Sequence, residues 1–250
     1  MLYLLTLLLQ AAPERATWTV DGVEREALVR VPVNRKEDGP RPLVFAWHGH
    51  GGTMAHAARS FRIHELWAEA VVVYPQGLPT PGRLSDPEGK KPGWQHGELE
   101  GRDYKFFDAM LADLKRKDVD ETRIYSMGHS NGGQFTYQLW AARPGVFAAL
   151  APSGSVFKPA RDVEPVPVLH VAGEKDPLVK FEWQKAGLAQ VRAKNGCEET
   201  GKDWGSPGCL VYESSKKAPL VTFLHPGGHE YPKDAPALIV KFFREHARAK

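Results

Sequence analysis

Cysteine is scarce in this sequence: the chain of 250 residues carries only two, Cys197 and Cys209. Two thiols are too few for a disulfide framework, and without a nearby histidine they argue against a metal site. The pair encloses a glycine-rich polar stretch. In an exported protein such an even pair predicts one disulfide closing this loop, worth ~2–3 kcal/mol in a chain-entropy model. Two unconnected buried thiols are the alternative.

Long apolar runs are also missing, apart from a short one at the N-terminus. Met1–Leu9 is almost wholly apolar, and Ala11 and Ala12 precede Pro13. At about a dozen residues the segment is too short to span a bilayer. It is typical of a signal peptide, although it lacks the initial positive charge. We therefore predict a signal peptide over residues 1–12 and a secreted or periplasmic protein. A first strand or a misassigned start codon are the alternatives.

The chain has no strong excess of one charge. Its net charge is +3, and its lysines and arginines are dispersed among the acids. The densest basic cluster, Lys115–Lys117, ends a predicted helix, where it favours the helix dipole. This distribution argues against a nucleic-acid partner. Hydrophobic residues make up 42% and no internal repeat is seen, so we predict a single domain over residues 13–250.

Apolar runs alternate with helical patterns along the chain. Leu43–Trp47 and Val71–Tyr74 are continuous apolar runs, which is typical of strands buried on both faces of a parallel sheet. The alternation predicts an α/β fold, with a mostly parallel sheet and helices on both faces. Other predicted elements are a helix over residues 55–70, a long glycine- and proline-rich loop over 75–102, a helix capped by Asp103, a strand over 147–151, and a hairpin of strands 210–213 and 220–224.

The stretch from Arg123 to Gln134 contains the pattern Gly-x-Ser-x-Gly, with Ser130 at its centre. A short apolar strand precedes it and a helical pattern follows, which is the setting of a nucleophile elbow. Side chains at Gly128 and Gly132 would collide with the neighbouring strand or helix. Ser130 is thus the predicted nucleophile. An ordinary turn with Ser130 as a polar cap is the alternative.

A serine nucleophile needs a histidine base held by a carboxylate. The expected chain order is serine, acid, histidine, with the groups at the carboxyl ends of strands. Asp176 is the predicted acid, because it follows the buried strand over residues 166–171 by a short loop. His229 is the predicted base, because its glycine-rich loop follows the last strand. The remaining candidates are Glu174, Asp162 and Asp203 for the acid, and His225, His246 and His170 for the base.

The tetrahedral intermediate requires two backbone donors. One is predicted to be the N–H of Asn131, directly after the nucleophile at the start of a helix. The other is expected from the glycine-rich loop over residues 48–52, which follows the strand ending at Trp47. The N–H of His50 is the favoured donor and that of Gly51 the alternative.

These motifs resemble the α/β-hydrolase family that groups extracellular polyhydroxybutyrate depolymerases with feruloyl and acetylxylan esterases. The resemblance implies Ser130, Asp176 and His229 as the triad, and it covers about residues 41–232. The chain differs in carrying His50 where the family often has a cysteine. The matching segments are Leu43–Gly52, Val73–Gly77, Pro92–Trp94, Val119–Asp120, Phe147–Pro152, Asp176–Val179 and Gly227–His229.

A serine carboxylic-ester hydrolase, feruloyl or acetyl esterase-like or hydroxyalkanoate depolymerase-like, is the function expected from this pattern. It would act on a small or oligomeric ester and need no metal and no organic cofactor. Trp94, Trp140 and Trp183 are candidates for the wall of an acyl pocket, although buried tryptophans more often simply pack in the core. A serine peptidase of the same fold, or a non-catalytic binding protein, remain as alternative functions. Oligomeric state is not predicted.

Overall fold

A computed structural model defines residues 12–32, 39–82, 86–159 and 161–249 of the protein. The predicted signal peptide, residues 1–12, lies outside these ranges except for its last residue. The strands are β1 (Glu14–Val20), β2 (Val23–Arg30), β3 (Arg41–Trp47), β4 (Val71–Pro75), β5 (Leu78–Pro79), β6 (Pro92–Gly93), β7 (Val119–His129), β8 (Ala149–Ser153), β9 (Val168–Gly173), β10 (Lys202–Asp203), β11 (Cys209–Tyr212) and β12 (Leu220–His225). The helices are α1 (Met54–Phe61), α2 (Ile63–Leu66), α3 (Arg102–Lys115), α4 (Asn131–Ala142), α5 (Phe181–Asn195) and α6 (Ala235–Arg244).

Ten strands form one sheet in the order β1-β2-β4-β3-β7-β8-β9-β12-β11-β10. The six central strands, from β4 to β12, all pair in parallel. An antiparallel pair of strands extends the sheet at each edge. The α/β fold with a mostly parallel sheet is therefore confirmed, and so is the hairpin formed by β11 and β12.

The central strands are buried on both faces, as their apolar runs predict. Along β3, Leu43 and Phe45 belong to one hydrophobic core, while Val44 and Ala46 belong to the other. This alternation follows from the two-residue period of a strand. Helices α3, α4 and α5 cover the first core, and α1, α2 and α6 cover the second. Parallel strands held this way bring their carboxyl ends to a single edge of the sheet.

Two predicted elements differ from the structure in their bounds. The single helix predicted over residues 55–70 is two shorter helices, α1 and α2. Arg62 separates them with a left-handed φ of 50°, and its N–H donates to the Ala58 carbonyl at 3.1 Å. The strand predicted over residues 147–151 runs from Ala149 to Ser153, so it reaches further toward the edge that carries Ser130.

Asp103 does not cap α3, contrary to prediction. Gly101 precedes the helix, and Asp103 lies fully buried in its first turn. Its Oδ1 accepts a hydrogen bond from Nη2 of Arg25 at 2.8 Å, and its Oδ2 accepts one from the Gln95 N–H at 2.8 Å. The residue therefore joins β2 to α3 and to the loop before the helix. This loop, over residues 75–102, also contains the short β5–β6 pair.

The predicted disulfide between Cys197 and Cys209 is wrong, because both cysteines are free thiols. Cys197 packs against the hydrophobic core under α5, whereas Cys209 is part of the core on the opposite face of the sheet. The sheet thus lies between the two sulfur atoms. Burial raises the pKa of each thiol, which keeps both in the unreactive protonated form.

No helix within the described ranges is long and apolar enough to cross a membrane.

Candidate active site

Ser130 lies between β7 and α4, in the strand–turn–helix arrangement predicted for it. Its backbone has φ 55° and ψ −119°, a sparsely populated conformation for a residue with a side chain. Two hydrogen bonds hold this turn. The Ser130 N–H donates to the Ser153 carbonyl at 2.8 Å, and the Gln134 N–H donates to the Ser130 carbonyl at 2.8 Å.

The glycines on either side of Ser130 allow three chain segments to meet. A Cβ atom at Gly128 would lie 2.5 Å from the backbone of Gly132. A Cβ atom at Gly132 would lie 2.2 Å from the Trp47 carbonyl oxygen and 2.6 Å from that of His48. All three distances are far below a van der Waals contact. The steric reason predicted for these two glycines is therefore confirmed.

Three side chains from separate loops form a continuous line of hydrogen bonds. The Ser130 Oγ lies 2.8 Å from Nε2 of His229, and Nδ1 of His229 lies 2.7 Å from Oδ2 of Asp176. The loops follow the carboxyl ends of β7, β9 and β12. The structure thus brings together the three residues predicted for the triad.

The Asp176 carboxylate is held by its own loop. Its Oδ1 accepts hydrogen bonds from the N–H groups of Leu178 at 2.9 Å and Val179 at 2.8 Å. Its Oδ2 also accepts one from Nε2 of Gln184 at 3.3 Å. Gln184 was missed by sequence reasoning, although it lies in the first turn of the helix that follows the acid. These bonds fix the carboxylate that faces His229.

The other candidate acids and bases do not reach Ser130. Glu174 is exposed, and Asp162 pairs with Lys194. His170 is buried between the Tyr137 hydroxyl at 2.8 Å and Oε1 of Gln184 at 3.0 Å. His225 accepts a hydrogen bond from the Gly227 N–H, and His246 donates one to the Phe242 carbonyl. Both rings therefore bond to residues close to them in the sequence. Asp203 lies in the short edge strand β10.

The loop over residues 48–52 lies directly against the nucleophile. A Cβ atom at Gly49 would be 3.5 Å from Cβ of Ser130. The His48 ring locks this loop: its Nδ1 lies 2.8 Å from the Gly49 carbonyl, and its Nε2 accepts a hydrogen bond from the Gly77 N–H at 2.9 Å. Burial lowers the pKa of His48 to about 4, so this ring is neutral near pH 7. Asn131 directly follows Ser130 in the sequence, and His50 lines the same cleft as Ser130.

The chain was compared with known proteins, and no family model matches it. It is 27% identical over 220 residues to the probable feruloyl esterase C of Aspergillus oryzae, covering 83% of this chain and 77% of that protein. It is 29% identical over 183 residues to the bifunctional acetylxylan esterase/xylanase of Neocallimastix patriciarum, covering 70% and 25% of the two chains. Its fold matches the acetyl xylan esterase from Aspergillus awamori with a TM-score of 0.70 at 13% identity, covering 92% of this chain and 99% of that one.

The chain has the α/β-hydrolase fold, and its sequence is similar to those of feruloyl and acetylxylan esterases. Its activity class is carboxylic-ester hydrolysis, the class shared by these relatives.

The imidazole of His50, which sequence reasoning left without a role, connects two loops of this hydrolase. Its Nε2 lies 3.1 Å from Oδ2 of Asp86, which also accepts a hydrogen bond from the Lys91 N–H at 2.8 Å. The ring packs so closely on Gly82 and Gly93 that a Cβ atom at either would lie within 3 Å of it. His50 therefore attaches the loop over residues 76–93 to the loop beside the nucleophile.

Trp94 does not wall a substrate pocket, which corrects the prediction for this residue. Its side chain is fully buried, and its Nε1–H donates to the His48 carbonyl at 2.8 Å. The ring packs between Trp47 and Phe135 in the core. Asn131 holds the Trp94 backbone from the other side, with Oδ1 accepting from its N–H at 2.7 Å. Trp94 thus supports the loop beside Ser130 from beneath.

A cleft of about 570 Å³ opens beside Ser130. This size falls within the usual range for small-molecule sites. None of the three tryptophans proposed for an acyl pocket lines it. One wall is the loop over residues 48–52, and the other is the exposed side of α1. The lining residues are His48, Gly49, His50, Gly51, Gly52, Thr53, His56, Ala57, Arg59, Ser60, Phe61, His129, Ser130, His229 and Tyr231.

No cluster of three or more potential metal ligands occurs within residues 12–32, 39–82, 86–159 and 161–249.

Proposed function

We propose that this hydrolase is a serine esterase that acts through Ser130, His229 and Asp176 and forms an acyl-enzyme. The observation that carries the proposal is the line of hydrogen bonds from the Ser130 hydroxyl through both ring nitrogens of His229 to the Asp176 carboxylate. A hydroxyl becomes a nucleophile at neutral pH only when a base can take its proton as it attacks. This line supplies the base and the group that orients it.

The reaction begins with the attack of Ser130 Oγ on the ester carbonyl, while Nε2 of His229 takes the hydroxyl proton. Asp176 keeps the proton of the imidazole on Nδ1 and stabilises the imidazolium that forms. The backbone N–H groups of Asn131 and His50 donate to the oxyanion of the tetrahedral intermediate. His229 then protonates the departing alcohol, which leaves an acyl group on Ser130.

Water completes the cycle. His229 takes a proton from a water molecule, whose oxygen attacks the acyl carbon, and returns that proton to Ser130 as the acid is released. Each turnover consumes one ester and one water and yields one acid and one alcohol. The chemistry requires only groups of the polypeptide.

Feruloyl or acetyl esters, as small molecules or oligomers, are the substrates we propose. Support comes from relatives named feruloyl esterase C and acetylxylan esterase. The cleft beside Ser130 is large enough for a phenolic acyl group. We also propose that the protein is exported, which rests on the apolar segment at residues 1–9.

Ester hydrolysis by point variants tests this proposal. Methyl ferulate, p-nitrophenyl acetate and p-nitrophenyl butyrate would be assayed with wild type, Ser130→Ala and His229→Ala. We expect each variant to lose at least ~10³-fold in kcat, the scale of triad loss. His246→Gln is the control, because His246 lies on the terminal segment after α6 and its ring bonds to the nearby Phe242 carbonyl.

Labelling by a serine-directed fluorophosphonate distinguishes an esterase with an untested substrate from a non-catalytic binding protein. Mass spectrometry should find one adduct, on Ser130, and none in Ser130→Ala. If Ser130→Ala hydrolyses esters at the wild-type rate, or if wild type is unlabelled and silent on every ester, the proposal is wrong. Hydrolysis of peptide amides but not of esters would favour the peptidase alternative.

A further inference from the structure

Among the described residues that line the cleft, Arg59 is the only arginine or lysine, and none is an aspartate or a glutamate. The His48 ring is neutral, and loss of solvent around the ring also lowers the pKa of His129 to about 4. The described wall opposite Ser130 therefore carries a basic side chain and no acidic one.

Within the part of the chain that the structure describes, no carboxylate lies within 4.0 Å of the Arg59 guanidinium, and the side chain is exposed. Its neighbour on the same helix end behaves differently, because Arg62 donates two hydrogen bonds to Oε2 of Glu65 at 2.7 and 2.8 Å. Arg62 does not line the cleft. The two arginines thus form a matched pair: Arg62 is bound to a carboxylate of the protein, and Arg59 is an exposed residue of the cleft wall.

The rest of the wall suits a polar ligand with a flat apolar part. His56 and Ser60 form a hydrogen bond of 3.3 Å along the exposed side of α1. Behind them the Phe61 and Tyr231 rings meet edge to face at 4.7 Å, which gives the cleft an aromatic end. At the opposite rim the aliphatic stem of Lys91 lies 3.4 Å from the position a Cβ atom would take at Gly51.

We propose that this cleft binds esters that carry a carboxylate, and that Arg59 pairs with that carboxylate while Ser130 attacks the ester bond. The inference rests on the proposed function, because it names the substrate class of the same site. The carboxylate can belong to the acyl part or to the alcohol part of the ester. A guanidinium would pair with a carboxylate on either part in the same way. The test therefore uses one set of esters for each position of the carboxylate.

Two matched pairs of phenyl esters test the proposal. The alcohol arm compares para-acetoxybenzoate with para-acetoxybenzamide, and the acyl arm compares monophenyl adipate with its terminal amide. Within each pair the anion and the neutral amide have nearly the same size. The measured quantity is the ratio of kcat/KM for the anionic ester to that for the neutral ester, in wild type, Arg59→Gln, Arg59→Glu and the control Arg62→Gln.

We expect wild type to prefer the anion in one arm, which identifies the part that faces α1. Arg59→Gln should lower that ratio by about three- to tenfold, mostly through KM, the scale for a partly exposed charged hydrogen bond. Arg59→Glu should reverse the preference, and Arg62→Gln should keep the wild-type ratio. Added KCl should shrink the wild-type preference, because salt screens exposed charges.

Three results would overturn the inference. If wild type hydrolyses the neutral esters but shows no preference for the anion in either arm, the proposed function stands and the carboxylate site does not exist. The same holds if Arg59→Gln and Arg62→Gln change the ratio equally. If wild type hydrolyses none of the four esters and forms no fluorophosphonate adduct, the proposed function is wrong. The proposed substrate class is then wrong as well.

Discussion

Ser130 has an unfavourable backbone conformation that is held by hydrogen bonds and close packing of the surrounding segments. Its φ of 55° costs of order 1–3 kcal/mol for a residue with a side chain. The hydrogen bonds to Ser153 and Gln134 offset that strain. Gly128 and Gly132 let β7, α4 and the end of β3 approach closely enough for those bonds to form. The strained conformation of Ser130 therefore depends on the lack of side chains at Gly128 and Gly132.

Replacing Gly132 with alanine should destabilise the protein strongly. The new Cβ would lie 2.2 Å from the Trp47 carbonyl oxygen, so either α4 or the end of β3 must move. We expect the free energy of unfolding to fall by about 3 kcal/mol, at the upper end of overpacking effects. Urea denaturation measures it.

Gly49→Ala is the control for this prediction, because its Cβ would meet Ser130 at 3.5 Å and the His129 carbonyl at 3.4 Å, which are ordinary contacts. We expect a change within ~1 kcal/mol for that variant. Equal unfolding midpoints for the two variants would contradict the steric argument.

At the scale of elements, several hydrogen bonds attach the loop over residues 76–93 to the loop beside Ser130, and the His50–Asp86 pair is one of them. The Asp86 carboxylate accepts hydrogen bonds from the His50 ring and from the Lys91 N–H. The same carboxylate therefore binds a residue of each of the two loops. The proposed oxyanion donor is the N–H of His50 itself. Its position therefore depends on a contact made by its own side chain.

Asp86→Ala should slow catalysis without unfolding the protein. Loss of the carboxylate releases the His50 ring, and small shifts of a catalytic donor cost up to ~10²-fold. We expect kcat to fall by about 10-fold or more with a smaller change in KM, because an oxyanion donor acts mainly in the transition state. Steady-state kinetics on p-nitrophenyl acetate measures both constants.

Glu88→Ala is the matched variant for Asp86→Ala, since Glu88 is an exposed acid of the same loop that pairs only with Lys90. Its kinetics should equal those of wild type. If Asp86→Ala also keeps the wild-type kcat, the His50–Asp86 contact does not position the donor.

The ion pair between Arg25 and Asp103 joins β2 to α3 with almost no solvent contact. The two side chains are 1% and 0% exposed, and Arg25 also lies 4.3 Å from the centroid of the Phe106 ring. Removing one partner of such a pair leaves the other charge buried without compensation. Breaking this pair should therefore cost more stability than breaking an exposed pair on the same helix.

Asp103→Asn should lower the free energy of unfolding by ~3–5 kcal/mol. Asp113→Asn, on the same helix, removes an acid that pairs with Arg116 and Lys117 at the surface and should cost at most ~1 kcal/mol. Chemical denaturation of both variants measures the difference. A cost for Asp103→Asn no larger than that for Asp113→Asn would show that the pair carries no net stabilisation.

At the scale of the whole molecule, buried neutral histidines couple stability to pH. Burial lowers the pKa of His48, of His129 and of His170 from 6.5 to about 4. In the unfolded chain these rings take up protons as the pH falls below 6.5, whereas in the folded protein they do so only near pH 4. The unfolded state therefore binds more protons within this window, and stability falls with falling pH.

We expect the free energy of unfolding to decrease between pH 6.5 and pH 4 by up to ~1.4 kcal/mol per pH unit for each of these histidines. Urea midpoints measured from pH 8 to pH 4 test this slope. His170→Gln should reduce this slope by about one third, because one of the three groups no longer titrates. A midpoint that stays constant down to pH 4.5 would contradict the prediction.

Local patterns were sufficient for the parallel sheet, the nucleophile elbow and the three residues of the proposed triad. Apolar runs reveal strands buried on both faces, and glycines two residues before and after Ser130 reveal the tight turn. The order of serine, acid and histidine along the chain, each after a strand, then limits which residues can form the triad. Ser130 and His229 are 99 residues apart, yet the shared edge of a parallel sheet brings them to 2.8 Å.

Tertiary structure alone decided the features that depend on which face of the sheet a residue joins or which distant loop it meets. Cys197 and Cys209 lie twelve positions apart but pack on opposite faces, so no spacing rule predicts their separation. Trp94 is in the core, and Arg59 lines the cleft. The physical reason is that a local pattern encodes how a segment folds, whereas burial and partners depend on the segments that pack against it.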